Sequence, residues 1–244
     1  LTSGIDSVIK DLFEIITSSK DKVAVLYPTY AMYEVYSKTY NVNLIKVKLN
    51  KNFDFDINDI KKILNKKPKI FFLPNPNQPI EINLSINKIE MIAQECIKNN
   101  CFLVVDEAYH YFGATSAIKL INKYKNLIIL RTFSKSFGLA GLRAGFLVTN
   151  KKLCQEIFKA KPMYEMTTLT SVFVEEIIKN KKLEDTYIKN IKLSKKVFIN
   201  YLKKNNFKFI DPKANFLHLE IIKNRSKFFK ALKKAQILIN SNKI

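Results

Sequence analysis

The chain has 244 residues, a net charge of +21 and 47% hydrophobic residues, enough apolar material for one large domain or one domain plus part of a second. No apolar run approaches the roughly 18 residues of a membrane span, and three cysteines (Cys96, Cys101, Cys154) without a paired or metal-ligand pattern fit reduced, cytoplasmic thiols. The 42 Lys+Arg include only three arginines, and the lysines are spread through every segment without an aromatic-interleaved stripe, which argues for compositional bias and against a nucleic-acid role.

The chain opens without Met inside a helical pattern, so it is expected to be an internal piece of a longer polypeptide. Residues 5–16 place Ile5, Val8, Ile9, Leu12, Phe13, Ile15 and Ile16 at helical spacing. "TSGIDS" (2–7) begins that helix, and its unpaired amides and positive dipole end make an anion site around Gly4, Ile5 and Asp6. "VAVL" (23–26) predicts a strand ending at Pro28, and Tyr30 just beyond offers an aromatic face for a planar ring.

"KIFFL" (69–73) predicts a second strand, and "PNPNQP" (74–79) follows it with Asn77. A helix is expected over 86–98. The next strands are "CFLVVDE" (101–107), "NLIILRT" (126–132) and "GFLVT" (145–149). Short strands apolar on both faces, alternating with helices, predict an α/β fold: a mostly parallel sheet flanked by helices.

After about residue 165 the texture changes. A helix from Thr168, a Lys-rich amphipathic helix over about 184–204, strands near 207–210 and 216–222, and a helix near 225–234 predict an α+β module. The expected division is a large α/β domain over 1–183 and an incomplete smaller domain over 184–244.

Ligands of open α/β sheets sit at the carboxyl ends of the strands. Three polar clusters fall there: "PNPNQP", "DEAYHYF" (106–112) and "RTFSKSFG" from Arg131. The stretch 131–146, "RTFSKSFGLAGLRAGF", holds three of the five glycines and two of the three arginines, around Lys135. A lysine at a sheet edge can act as a nucleophile toward aldehydes. Arg143, with Thr132 and Ser134, suits a phosphate. Asp106 can hold a heterocyclic nitrogen protonated, and Tyr109 and Asn77 can donate to a phenolate-like oxygen. Each feature alone has an ordinary reading: a solvated lysine, a capping carboxylate, a turn asparagine. Together they describe a pyridoxal 5'-phosphate site, and no metal site.

The order and spacing of these motifs resemble the class I/II aminotransferases of fold type I, closest to the histidinol-phosphate aminotransferase group. The resemblance runs from about residue 2 to about 239. It implies that "TSGIDS" holds the cofactor phosphate with the amides of Gly4, Ile5 and Asp6, and that Tyr30 of "YPTYAMY" stacks on the ring. It gives Asn77 of "NPNQP" and Tyr109 of "DEAY" the ring oxygen, and Asp106 the ring nitrogen. Lys135 of "TFSKSFGLAGLRAGF" becomes the Schiff-base lysine, with Thr132, Ser134 and Arg143 around the phosphate. "ANFL" (214–217) resembles a strand whose Asn lies near the substrate.

There are two departures. The family continues "NPNxP" with Thr-Gly, where this chain has Ile80-Glu81. The family's amino-terminal arm and its late, substrate-gripping arginine are also missing, and Arg225 is a poor substitute. The resemblance implies a homodimeric, cytoplasmic transferase acting on an amino donor and a keto or aldehyde acceptor, phosphorylated substrates among them. The alternatives are a decarboxylase of a phosphorylated amino acid, using the same cofactor, and a basic non-catalytic binder of anions or nucleic acid.

Overall fold

The computed structural model describes residues 1–210, 214–221 and 224–239. The amino-terminal two-thirds alternates helix and strand: α1 (Gly4–Ile16), β1 (Lys22–Tyr27), α2 (Met32–Thr39), β2 (Asn43–Lys48), α3 (Ile57–Leu64), β3 (Ile70–Pro74), α4 (Ile86–Lys98) and β4 (Phe102–Asp106). Then come β5 (Leu127–Thr132), β6 (Gly145–Val148), α5 (Lys151–Ala160), α6 (Thr168–Lys179), α7 (Lys181–Lys204), β7 (Phe209–Ile210), β8 (His218–Leu219) and α8 (Arg225–Lys234).

Six strands form one sheet in the order β2-β1-β3-β4-β5-β6, parallel except for β6, which runs antiparallel to β5. The continuous apolar runs are explained by burial on both faces, because successive side chains of a strand point to opposite sides. Ala24, Leu26, Phe71, Leu73, Leu103 and Val105 pack under α3 and α4, against Ile60, Leu64, Ile89 and Ile92. Val23, Val25, Ile70, Phe72, Val104 and Ile128 pack on the other face, against Val8, Ile9, Leu12 and Phe13 of α1 and Tyr33 of α2. Each such side chain contributes about 1.5–3 kcal/mol on leaving water. Asp56 and Ser85 cap the amino ends of α3 and α4 by accepting the Asn58 and Lys88 amides, which fixes where each helix starts after its strand-end loop.

Three local expectations change. β2 was not foreseen, because its lysines (Lys46, Lys48) dilute the apolar pattern at what proves to be a sheet edge. The strands expected near 207–210 and 216–222 are reduced to an antiparallel pair of two residues each, and residue 222 lies outside the described residues. The Lys-rich helix starts at Lys181, so the expected boundary near 183 falls within its first turn. Among the described residues no helix is long and apolar enough to cross a membrane.

Candidate active site

The carboxyl ends of β1, β3, β4 and β5 and the start of α1 enclose one open cleft with a cavity volume of about 140 Å³. It lies where the strand order reverses between β1 and β3, the position at which sheets of this kind leave a crevice. Nine of the eleven expected site residues line it: Ile5, Asp6, Tyr30, Asp106, Tyr109, Thr132, Ser134, Lys135 and Arg143.

Asp106 ends β4 and is only 4% exposed. Its Oδ2 accepts the Tyr33 hydroxyl at 2.7 Å and its Oδ1 accepts the Ala108 amide at 3.0 Å. Burial raises its pKa to about 6, against the lowering pull of those two hydrogen bonds. Burial, reinforced by the neighbouring Asp106, likewise pushes the Tyr33 phenol well above its ordinary range, so Tyr33 is a permanent donor. Tyr33 was not identified from sequence. It stands at an apolar-looking position of α2, stacked on Phe72 at 4.6 Å, and nothing in the sequence separates it from a core tyrosine.

Across the cleft, Lys135 lies in the turn after β5, with Nζ 5.3 Å from the centre of the Tyr109 ring. That turn is braced from within. Thr132 Oγ1 accepts the Ser134 amide at 3.1 Å and donates to the Ala144 carbonyl at 3.2 Å.

The anion-attracting end is built around α1. Thr2 and Gly145 exchange backbone hydrogen bonds of 2.8 and 3.0 Å, which ties the start of α1 to the edge strand β6. The approach is so close that a Cβ on Gly145 would lie 2.8 Å from the Gly4 carbonyl carbon. Gly4 has φ +75°, and a Cβ there would lie 2.8 Å from Arg143 Nη2. Asp6 joins two walls: its Oδ1 accepts the Tyr30 hydroxyl at 2.8 Å and its Oδ2 accepts Arg143 Nη2 at 3.2 Å. Burial, then Asp6, raises the Tyr30 pKa. Glu165, also unforeseen, accepts the amide of the capping residue Ser3 at 2.7 Å, and the Gly4 amide, expected to hold a phosphate, donates to the Thr2 carbonyl at 2.8 Å, while Ile5 and Asp6 line the cleft.

Two expected residues stand elsewhere. Gly4 does not line the cleft but packs beneath Arg143. Asn77 is fully buried behind the wall, with Nδ2 donating to the Pro28 and Ile80 carbonyls at 3.0 and 2.7 Å and Oδ1 accepting from Thr29 Oγ1 at 3.0 Å. In this structure it braces the loop, while its neighbours Pro76 and Gln78 present the surface. The clustering of rare residues also needs correction. Arg131 does not frame the cleft; it is held by the fully buried Glu107 carboxylate at 2.9 Å and by Ser116 Oγ at 2.8 Å.

The whole chain, residues 1–244, matches the family model for aminotransferase class I and II. It is 37% identical over 218 residues to histidinol-phosphate aminotransferase of Clostridium novyi (strain NT), covering 88% of this chain and 60% of that protein. The chain spans about 60% of the length of the curated relatives it matches. In fold it superposes on the histidinol-phosphate aminotransferase of Sinorhizobium meliloti, solved in complex with pyridoxal-5'-phosphate, with a TM-score of 0.89 at 18% identity, over 100% of this chain and 68% of that one. It also superposes on the histidinol-phosphate aminotransferase from Clostridium acetobutylicum, with a TM-score of 0.86 at 24% identity, over 97% of this chain and 72% of that one. Motifs, strand order, cleft and family match agree: the chain belongs to the class I and II aminotransferases.

Proposed function

We propose that the chain is the cofactor-binding and catalytic part of a pyridoxal 5'-phosphate-dependent aminotransferase. It would move an amino group from an amino acid to a keto or aldehyde acceptor, with a phosphorylated substrate favoured by the named relatives. The observation that carries this reading is Asp106 and Lys135 lining the same cleft, one a buried carboxylate without an ion-pair partner among the described residues, the other an amine.

The residues fit the cofactor. Asp106 is costly to ionise where it stands, and a protonated ring nitrogen would supply the missing countercharge. When bound, pyridoxal phosphate supplies a cationic ring that withdraws electrons from the substrate Cα. Lys135 would be the amine that holds the cofactor's aldehyde and, once the substrate amine has displaced it, the base that moves the proton at the substrate Cα. Arg143, Thr132, Ser134 and the α1 amides at Ile5 and Asp6 would bind the phosphate, with Gly4 leaving room for Arg143 to do so. Tyr30 would cover the ring and Tyr109 would donate toward its oxygen. Asn77 acts through the loop it braces. Residues 1–183 form the cofactor-binding domain and 184–244 begin a smaller one.

The enzyme works as a cytoplasmic homodimer in this reading. Support for the dimer is the apolar material left exposed at Met163, Tyr164, Leu169, Val172 and Phe173. Support for a reducing compartment is the three free thiols.

The test is spectroscopic. The full protein carries a yellow band that borohydride quenches, and Lys135→Ala loses band and activity while its circular dichroism is unchanged. Glutamate added without acceptor converts the cofactor to its amine form and releases 2-oxoglutarate but no CO₂. A Lys135→Ala protein that stays yellow and active overturns the site. CO₂ evolution from a phosphorylated amino acid, with glutamate inert, makes the enzyme a decarboxylase.

A further inference from the structure

Beside the cleft, one buried carboxylate joins two parts of the chain that the chemistry itself does not connect. Glu81 follows the Pro-rich loop, is 9% exposed, and accepts the Ala214 amide on Oε2 at 3.0 Å. Lys195 of α7 donates to the Ala214 carbonyl at 2.6 Å. Ala214, itself fully buried, is thus held at both of its backbone polar atoms. His218, four residues on, contacts the Pro79 carbonyl oxygen, so the segment 214–218 is docked on the Pro-rich loop at two points.

What that segment carries is Phe216. Its ring meets Tyr109 edge-on, with centroids 5.1 Å apart and planes at 81°. Tyr109 lines the cleft and lies under Lys135 Nζ. The other end of the linkage is equally firm, because Asn77 grips the Ile80 carbonyl at 2.7 Å and the Pro28 carbonyl at 3.0 Å. An unbroken chain of contacts therefore runs from the loop after β1, through Asn77, Ile80 and Glu81, to Ala214, Phe216 and Tyr109.

The geometry points to Glu81 as a positioning residue: by fixing Ala214 it sets where Phe216 stands against Tyr109, and so shapes the substrate side of the cleft. A carboxylate accepting a buried amide is a charge-assisted bond, stronger than a neutral one and costly to leave unmade. A glycine at this position would have no side chain to make it. The kinetic consequence rests on the aminotransferase reading; the structural one does not.

The chain contains no tryptophan, so Phe216→Trp in the full protein introduces a local reporter. With Glu81 intact, that tryptophan emits in the blue and is shielded from iodide. Glu81→Ala in the same background shifts the emission to the red and exposes it. Glu81→Asp, which keeps the charge but withdraws the acceptor by one methylene, does the same, while Glu81→Gln does not.

In the otherwise unaltered enzyme, Glu81→Ala raises the amino-donor KM about tenfold, the scale of one lost charge-assisted bond, with kcat and cofactor affinity within a few-fold. Phe216→Ala reproduces that change, and the double variant is no worse than Phe216→Ala alone. The proposal is overturned if Glu81→Asp and Glu81→Ala leave the emission in the blue, or if the Glu81 and Phe216 effects on KM add in full. Should Glu81→Ala not fold, Glu81→Asp decides both readouts. A wild-type protein that fails to transaminate sinks the functional reading and leaves the emission test standing.

Discussion

Tyr33 donates its hydroxyl to Asp106 at 2.7 Å from α2, a helix that contributes nothing to the lining of the cleft. The bond opposes burial, which alone would push the Asp106 carboxyl still higher than about 6. A hydrogen bond to a charged group is worth about 1.5–3 kcal/mol.

Tyr33→Phe is therefore expected to raise the Asp106 pKa and to weaken cofactor binding at pH 7 about tenfold. The pH above which the empty protein takes up cofactor moves upward. Cofactor titrations between pH 5 and 9 measure this, and an unshifted binding curve would show that the tyrosine only fills space.

Asp106→Asn separates the carboxylate's cost from its use. The Asp106 pKa rises on folding, from 3.8 to about 6, so its stabilising contribution is present below pH 3.8 and is lost as pH climbs through 6. The rise corresponds to about 3 kcal/mol. Asp11, raised to about 6 chiefly by burial and then by Glu165, acts in the same direction. The cofactor-free Asp106→Asn protein should accordingly gain melting temperature over wild type at pH 7 but not at pH 4. Its turnover falls by orders of magnitude, because a neutral partner does not keep the ring nitrogen protonated. Melting curves at the two pH values, with and without cofactor, check both halves.

The two arginines of "RTFSKSFGLAGLRAGF" should behave oppositely. Arg131→Ala strands Glu107, which is fully buried, and costs about 3–5 kcal/mol of stability. Arg143→Ala removes a half-exposed side chain paired with Asp6 at 3.2 Å, so stability barely changes while cofactor affinity drops at least tenfold. Denaturation midpoints set beside cofactor dissociation constants distinguish the pair, and equal stability losses would contradict the assignment.

Gly145→Ala tests the docking of α1. The added methyl meets Gly4 backbone at 2.8 Å, and backbone cannot swing aside as a side chain does. A loss of about 1–3 kcal/mol is expected, together with weaker phosphate binding at the displaced helix end. Inorganic phosphate protection of the melting temperature, present in wild type and absent in the variant, is the readout.

The sequence made legible those parts of the site that sit directly after strands. Asp106 and Thr132 end β4 and β5, Tyr109, Ser134 and Lys135 follow them, and a parallel sheet delivers its strand ends to one edge. Tyr33 and Glu165 were hidden because their roles depend on which partner a helix or loop brings to them, Asp106 for the one and Ser3 for the other, and apolar periodicity does not encode that. Asn77 was identified, but not the direction of its amide, since a buried asparagine takes whichever carbonyls the loop leaves open. Arg131 shared its motif with the cleft residues yet turned to Glu107, because alternate residues of β5 leave on opposite faces. In the fold, the fully buried strands were readable and the edge strand β2 was not, for the reason that edges tolerate lysine.

Asp6 and Arg143 pair at the rim of the cleft from positions 137 residues apart. A ribosome must therefore release Arg143 before this nascent chain has its complete phosphate site, and every earlier stretch is synthesised without the full set of cofactor contacts. Ordering the sheet comes first, against the entropy of closing that long loop, and the ligand arrives only at a finished surface. Cofactor supply then governs how long the folded protein persists more than how fast it forms: at a hundredfold excess over its dissociation constant, bound cofactor deepens the native state by about 2.7 kcal/mol. Chains made without cofactor would fold at the same rate but unfold, and be degraded, sooner.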